Sequence, residues 1–240
     1  MVIDELVLQR CHHHLVATVW TPPSPIVVLG RSNPIQDVQE AHCGRLNVPI
    51  TRRIGGGGTV LLYSGCIVVT LGGWVADRFK NDYYFREINS GILDVLASLG
   101  LKGSDQKGIS DLTYGDRKFA GTSLFRSKNY LLYQASIIVT VDMTLLEQCL
   151  SHPHREPDYR YGRSHRDFLT GLDKVMGHPH EEIVRKLKSE LIPSWSSRLK
   201  GDLIDPDRSH LPYLVARCHS RDLDEWEKVY AERIIGGFLN

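Results

Sequence analysis

The sequence predicts an α+β domain with a central mixed, largely antiparallel sheet flanked by helices, and three observations carry that reading. Residues 60–63 and 67–71 are β-branched and aliphatic runs separated by Ser64-Gly65, which is the signature of strand, turn, strand. Segments with helical spacing alternate with further strand-like runs. A run of four glycines, Gly55 to Gly58, leads from strand to strand rather than into a helix, which argues against a wholly parallel, doubly wound sheet.

Taken in order, Ile3, Leu6, Val7 and Arg10 fit a short amphipathic helix, and 17–20 and 26–29 fit strands around the break at Pro22-Pro23. Asn33-Pro34 then reads as cap and first position of a helix with Ile35, Val38 and Ala41 on one face. After the glycine run and its strands, Phe85, Ile88, Ile92, Val95, Leu96 and Leu99 mark a helix over 82–99 that Gly100 stops. Residues 130–141 read as a strand and 142–150 as a short helix. Amphipathic helices follow at 181–191, with Ile183, Val184, Leu187 and Leu191 on one side, and at 223–235. The expected organisation is a core over 1–175 and a helical extension over 176–240 packed on the same domain.

The segment 111–120 reads as a hairpin with Gly115-Asp116 as its two-residue loop. Tyr114 then faces Arg117, Thr113 faces Lys118 and Asp111 faces Ala120. Because side chains alternate, Asp111, Thr113, Lys118 and Ala120 fall on one face, and Gly121 leaves room for a ligand beside them.

Composition narrows the function. Among 240 residues, 29 are Lys or Arg and 28 are Asp or Glu, so no excess of positive charge points to nucleic acid. The acidic pair Asp4-Glu5 stands where a signal peptide needs a basic and then an apolar run, and no stretch is long enough to span a membrane, so a cytoplasmic setting is expected. The five cysteines, Cys11, Cys43, Cys66, Cys149 and Cys218, are scattered and read as reduced thiols. His12 to His14 cannot converge on one ion from adjacent positions and read as a polar element end.

The glycine run is the main functional signal. A turn needs one or two glycines, whereas four in a row after Arg52-Arg53 suit a backbone that a ligand approaches closely. It is neither a P-loop, which ends in Gly-Lys-Ser/Thr before a helix, nor a Rossmann fingerprint, whose third glycine is replaced here by Val60. Peptide N–H groups, an Arg53 fork and the compact charge of Lys118 together suit phosphate and acyl oxygens on which negative charge grows. Asp111 could hold a magnesium ion on nucleotide phosphates, or could be an ordinary turn residue. Without the glycine run, Lys118 would read as a solvated hairpin lysine.

Arg52-Arg53-x-Gly55-Gly56-Gly57-Gly58-Thr59-Val60 resembles the Arg-Arg-x-Ser-Gly-Gly-Gly-Ala-Val loop of the lipoate protein ligase and biotin ligase superfamily. Ser110-Asp111, with Gly115-Asp116-Arg117-Lys118-Phe119-Ala120-Gly121-Thr122, is similar to its Asn-Asp element and Gly-x-Lys-x-x-Gly-Ser/Thr motif, and Val27 to Arg31 resembles the strand entering its site. The resemblance covers about residues 1–175. It implies a fold like the class II aminoacyl-tRNA synthetase and biotin ligase catalytic domain. It also implies ATP-dependent activation of lipoate or octanoate as an acyl-adenylate, then transfer to a lysine of a GcvH-like or E2-type lipoyl carrier domain. By that resemblance Lys118 is the catalytic lysine. Arg53, Gly58, Thr59, Val60, Leu61 and Lys118 match the ATP and adenylate stretch, and Gly56, Gly57, Gly58 and Lys118 match the lipoate site.

The chain departs from the family pattern at Gly55, at Leu62-Tyr63 in place of His-Asp, at Ser110, and at Tyr133-Gln134-Ala135 in place of His-His-Gly. Two other readings stand beside the ligase. One is a cysteine-dependent octanoyl or lipoyl transferase, whose nucleophile would fall near Pro153 and His154 rather than at Cys149. The other is a non-catalytic lipoyl- or adenylate-binding protein. Family ligases often carry a C-terminal accessory domain that helps close the site; its absence here would require a separate accessory subunit or closure by the chain's own residues. The arginine-rich segment 155–169 is either a salt-bridged loop or such a cover, with Arg160, Arg163 and Arg166 recurring every three residues.

Overall fold

In the computed structural model, residues 15–205, Val7, Cys11 and the strand 238–239 are described. The expected helices near the N-terminus and over 223–235 lie outside the described residues, apart from Val7.

Among the described residues, ten strands form two sheets. The larger, in the order β10-β1-β5-β9-β8-β7-β6, is antiparallel throughout: β10 (Phe238–Leu239), β1 (Val16–Trp20), β5 (Cys66–Trp74), β9 (Tyr130–Ile138), β8 (Arg117–Ser127), β7 (Asp111–Tyr114) and β6 (Ser104–Lys107). The smaller, β3-β2-β4, joins β2 (Ile26–Leu29) parallel to β3 (Ile50–Arg52) and antiparallel to β4 (Val60–Leu62). The α+β, largely antiparallel architecture is as expected. The mixed pairing is confined to the small sheet.

Strand alternation divides the interior. One face of the large sheet, carrying Val19, Val69, Tyr133 and Ile137, is covered by α2 (Asn81–Ser98) and α6 (His180–Arg198) through Ile88, Ile92, Leu187 and Trp195. The indole of Trp195 packs where Gly91 has no side chain, since a Cβ there would lie 2.6 Å from the ring, and its N–H donates to Ile88 O at 2.9 Å. The opposite face, with Val68, Phe125 and Leu132, meets Ile26, Val28 and Leu62 of the small sheet. The far side of the small sheet is sealed by α1 (Glu40–Arg45), α3 (Met143–Cys149) and α4 (His165–Phe168) around Leu61, Cys43, Cys149 and Phe168. A short α5 (Asp173–Met176) precedes α6.

Two local expectations are corrected. The helix after Asn33-Pro34 is broken: a 3-10 turn at Ile35–Asp37 stops at Val38, which is extended and bridges to Leu150, and α1 begins at Glu40. Asn33 does not cap it; its amide donates to the Asp37 carboxylate at 2.8 Å. The hairpin has the expected pairs Tyr114–Arg117 and Thr113–Lys118, but a bulge then shifts the register so that Leu112 meets Ala120 and Asp111 meets Gly121. The extra residue turns Ala120 onto the helix-covered face with Leu112, away from Lys118.

Candidate active site

The two sheets part at one end to leave a cavity of about 100 Å³ whose lining includes Arg53, Gly57, Gly58, Thr59, Val60, Asp111 and Lys118. The floor comes from strand pairing. Gly121 lies opposite Ser136 and Ser123 opposite Gln134, so alternate positions of β8 and β9 present three small or polar side chains to the cavity. Ser123 and Ser136 escaped the sequence reading, and Gln134 stood in it only as a departure from the family pattern, although the period-two spacing from Gly121 was visible.

Lys118 and Asp111 meet as the hairpin implied. Lys118 Nζ lies 2.8 Å from Asp111 Oδ1, and the two side chains are 23% and 12% exposed, so the pair faces a partly desolvated space. Both carboxylate oxygens are engaged, because the Tyr159 hydroxyl donates to Oδ2 at 2.8 Å. Burial, and then the Asp111 charge, hold the Tyr159 phenol far above its ordinary pKa, so it remains a donor. An ammonium and a phenol therefore meet both oxygens of the carboxylate that the sequence offered to magnesium.

The glycine loop is held from behind by Arg53. Arg53 is 8% exposed and donates through Nε and Nη2 to Gly56 O at 3.0 and 2.7 Å and through Nη2 to Gly58 O at 2.7 Å. Gly55 O accepts from Arg31 N at 2.9 Å, and Gly57 O packs so tightly on Gly30 that a Cβ there would come within 2.0 Å. Arg52 binds the adjoining turn through Gly30 O and Asn33 O, both at 2.7 Å. With these carbonyls turned inward, the N–H groups of Gly56, Gly57 and Gly58 donate to nothing among the described residues. The loop thus keeps a run of amides with no acceptor among the described residues, and Arg53 builds it rather than presenting a free fork to phosphate.

Leu61 and Gly56 fall outside the cavity. Leu61, expected in the nucleotide stretch, alternates onto the far side of the small sheet and packs with Val27 and Leu29. Gly121 lines the cavity, and the space left by its missing side chain is taken up by the end of Lys118, with Cε 3.1 Å from a Cβ built there.

The segment 155–169 is a built element. Arg160, 4% exposed, lies over the Phe168 ring at 4.7 Å and donates to Arg163 O at 2.9 Å; Arg163 donates to Tyr159 O and Asp116 O at 2.8 and 3.0 Å. Leu169 bridges to Lys118, and Thr170 N donates to Lys118 O at 2.9 Å. Arg163 therefore fastens the segment to the hairpin turn while Arg160 braces it from within, and both donate to protein acceptors. Arg166 is exposed and pairs with Glu147.

The two-sheet α+β domain thus brings the glycine loop and Lys118 into the lining of one cavity. The lipoyl protein ligase A/B catalytic domain family matches residues 1–192, and the chain belongs to that family. It is 24% identical over 159 residues to lipoate–protein ligase 1 of Staphylococcus aureus, covering 65% of this chain and 47% of that one. It is 28% identical over 181 residues to the octanoyltransferase LipM of Carboxydothermus hydrogenoformans, covering 67% of each. The bipartite lipoate protein ligase of Thermoplasma acidophilum, whose structure is described with its E2 lipoyl domain, shares the fold with a TM-score of 0.70 at 18% identity, over 93% of this chain and 88% of that one. The chain spans 47% to 61% of the length of the curated ligases it matches.

Proposed function

We propose that this chain is an ATP-dependent lipoate protein ligase. It would activate lipoate or octanoate as the acyl-adenylate and pass the acyl group to a lysine of a GcvH-like or E2-type carrier domain. The observation that carries this reading is the Lys118 ammonium, held 2.8 Å from Asp111 at the wall of a cavity roofed by unpaired glycine amides. In the first step the acid's carboxylate attacks the α-phosphorus of ATP, supplied with its magnesium as substrate, and pyrophosphate leaves. The amides of Gly57 and Gly58 would receive phosphate oxygens, and Lys118 would balance charge growing on the phosphoryl and then the acyl oxygen. Thr59 and Val60 complete the wall on which the adenylate would rest. Family membership and the bipartite Thermoplasma relative support a carrier-domain acceptor. A cytoplasmic setting suits such carriers, and no described helix is long and apolar enough to cross a membrane.

The test is mass spectrometry of a lipoyl carrier domain incubated with lipoate, octanoate or biotin, with and without Mg-ATP, using the chain alone and with a second polypeptide. Carrier modified only when ATP is present supports the ligase. Modification from an acyl-carrier thioester without ATP would support the transferase reading, which the LipM likeness keeps in view. The described thiols argue against it. Cys11, Cys43, Cys66 and Cys149 are buried, and burial pushes Cys11, Cys66 and Cys149 up to about 12, leaving little thiolate for attack. A folded variant with all five cysteines replaced should therefore keep its ATP-dependent activity.

A further inference from the structure

A second set of ionisable groups sits at the rim of the site. Asp37, 3% exposed, receives four donors: Asn33 Nδ2 at 2.8 Å, Thr59 Oγ1 at 3.3 Å, His154 N at 3.4 Å and His154 Nδ1 at 3.0 Å. Burial alone would raise its pKa, but the bonds from Asn33 and His154 outweigh it and the net shift is downward, so Asp37 is a carboxylate at neutral pH. A carboxylate only accepts, so His154 Nδ1 carries the proton, and in the neutral ring the lone pair is left on Nε2. That nitrogen has no protein partner among the described residues, and the ring is 45% exposed. Thr59, which shares the same carboxylate, is itself a wall of the Lys118 cavity, so one buried anion ties the exposed imidazole to the edge of that cavity.

We infer that the Asp37–His154 pair is the base of the acyl-transfer half-reaction, with His154 Nε2 accepting a proton from the attacking amine. This rests on the ligase reading above. The neutral lysine amine of the carrier forms the C–N bond to the acyl carbon, the C–O bond to phosphate breaks, and AMP leaves with the electron pair. The proton released from nitrogen passes to Nε2 and then to water. Asp37 fixes the tautomer and steadies the imidazolium, the role a buried aspartate plays toward any histidine base. Adenylate formation needs no such base, because an ionised carboxylate is the nucleophile there.

The two half-reactions separate the claims. Lipoate-dependent ATP–pyrophosphate exchange reports adenylation, and its absence in the unsubstituted protein would sink the ligase reading rather than this one. With exchange established, His154→Gln, which can still donate to Asp37, should leave exchange within about twofold. The same variant should slow single-turnover transfer from lipoyl-adenylate to the carrier lysine by on the order of 100-fold, with the carrier KM unchanged. Acylation of hydroxylamine, whose attacking nitrogen gives up its proton to water far more readily than a lysine nitrogen does, should fall far less. Equal loss with hydroxylamine and carrier would make His154 structural, and transfer at the wild-type rate would overturn the proposal.

Discussion

The side chain of Lys118 lies over Gly121: a Cβ at 121 would come 2.9 Å from Nζ, the same nitrogen that meets Asp111 at 2.8 Å. The bulge beside Leu112 brings this about, because it puts Gly121 rather than Ala120 opposite Asp111. The glycine thus serves the lysine's position and not only the strand.

Lys118→Ala should fold and lose transfer by on the order of 100-fold to 1000-fold, the usual cost of removing one preorganised charge partner of a transition state. Gly121→Ala is the sharper variant. Its methyl meets the flexible end of a lysine rather than backbone, so thermal unfolding should change little while kcat falls at least about tenfold. A folded Gly121→Ala protein with unchanged kcat would show that the resting position of Lys118 is irrelevant to turnover.

The glycine loop separates two roles by position. Gly57 has φ +87, and a Cβ there would press on Arg53 Nη2 at 3.0 Å, so Gly57→Ala should cost about 1–2 kcal/mol in denaturant unfolding. Gly58 faces open space, so Gly58→Ala should leave stability near wild type. Its methyl would nonetheless stand beside the amide row, so calorimetric affinity for a nonhydrolysable lipoyl-adenylate analogue should drop. Unchanged affinity in Gly58→Ala would place the ligand elsewhere.

The contrast between these residues and the arginines shows how far the sequence could be read. The Lys118–Asp111 pair was legible because a two-residue Gly115-Asp116 loop sets the register near the turn. The bulge three residues further on was not, since its cost and benefit depend on how Phe119 and Ala120 pack into the core. Arg52 and Arg53 signalled an anion site, yet a guanidinium fits carbonyl oxygens as well as phosphate, and only the folded loop decides which it meets. Asp37 and His154, 117 positions apart, carry no local pattern at all. Their meeting follows from the break at Val38 and its bridge to Leu150, where tertiary pairing overrides a helix-like sequence.

Arg160 gives a prediction that runs against its sequence appearance. Its guanidinium is buried over Phe168, donates to Arg163 O and lies 3.3 Å from Glu156, while Glu156 also accepts from Gly162 N at 2.7 Å. Arg160→Ala should lower unfolding stability by about 2 kcal/mol, because charged donors of this kind and the groups they leave unpaired are worth that much. The KM for ATP should stay within about twofold. A stable variant with a raised KM would restore the view of this segment as a phosphate-binding cover.

Asp37 makes the fold itself acid-sensitive. Its folded pKa is depressed relative to the unfolded chain: burial opposes ionisation, but the bonds from Asn33 and His154 prevail. Ionised Asp37 therefore contributes stability above the ordinary carboxylate pKa, and that contribution disappears as pH falls through the folded value. Asp37→Asn has no proton to take up over that range and should be less stable at neutral pH, with the gap to wild type closing on acidification. Urea midpoints of both proteins, measured from about pH 7 down to about pH 3, check this. A gap that stays constant across the series would mean that Asp37 contributes through packing and neutral hydrogen bonds, and that its charge does not hold the His154 ring.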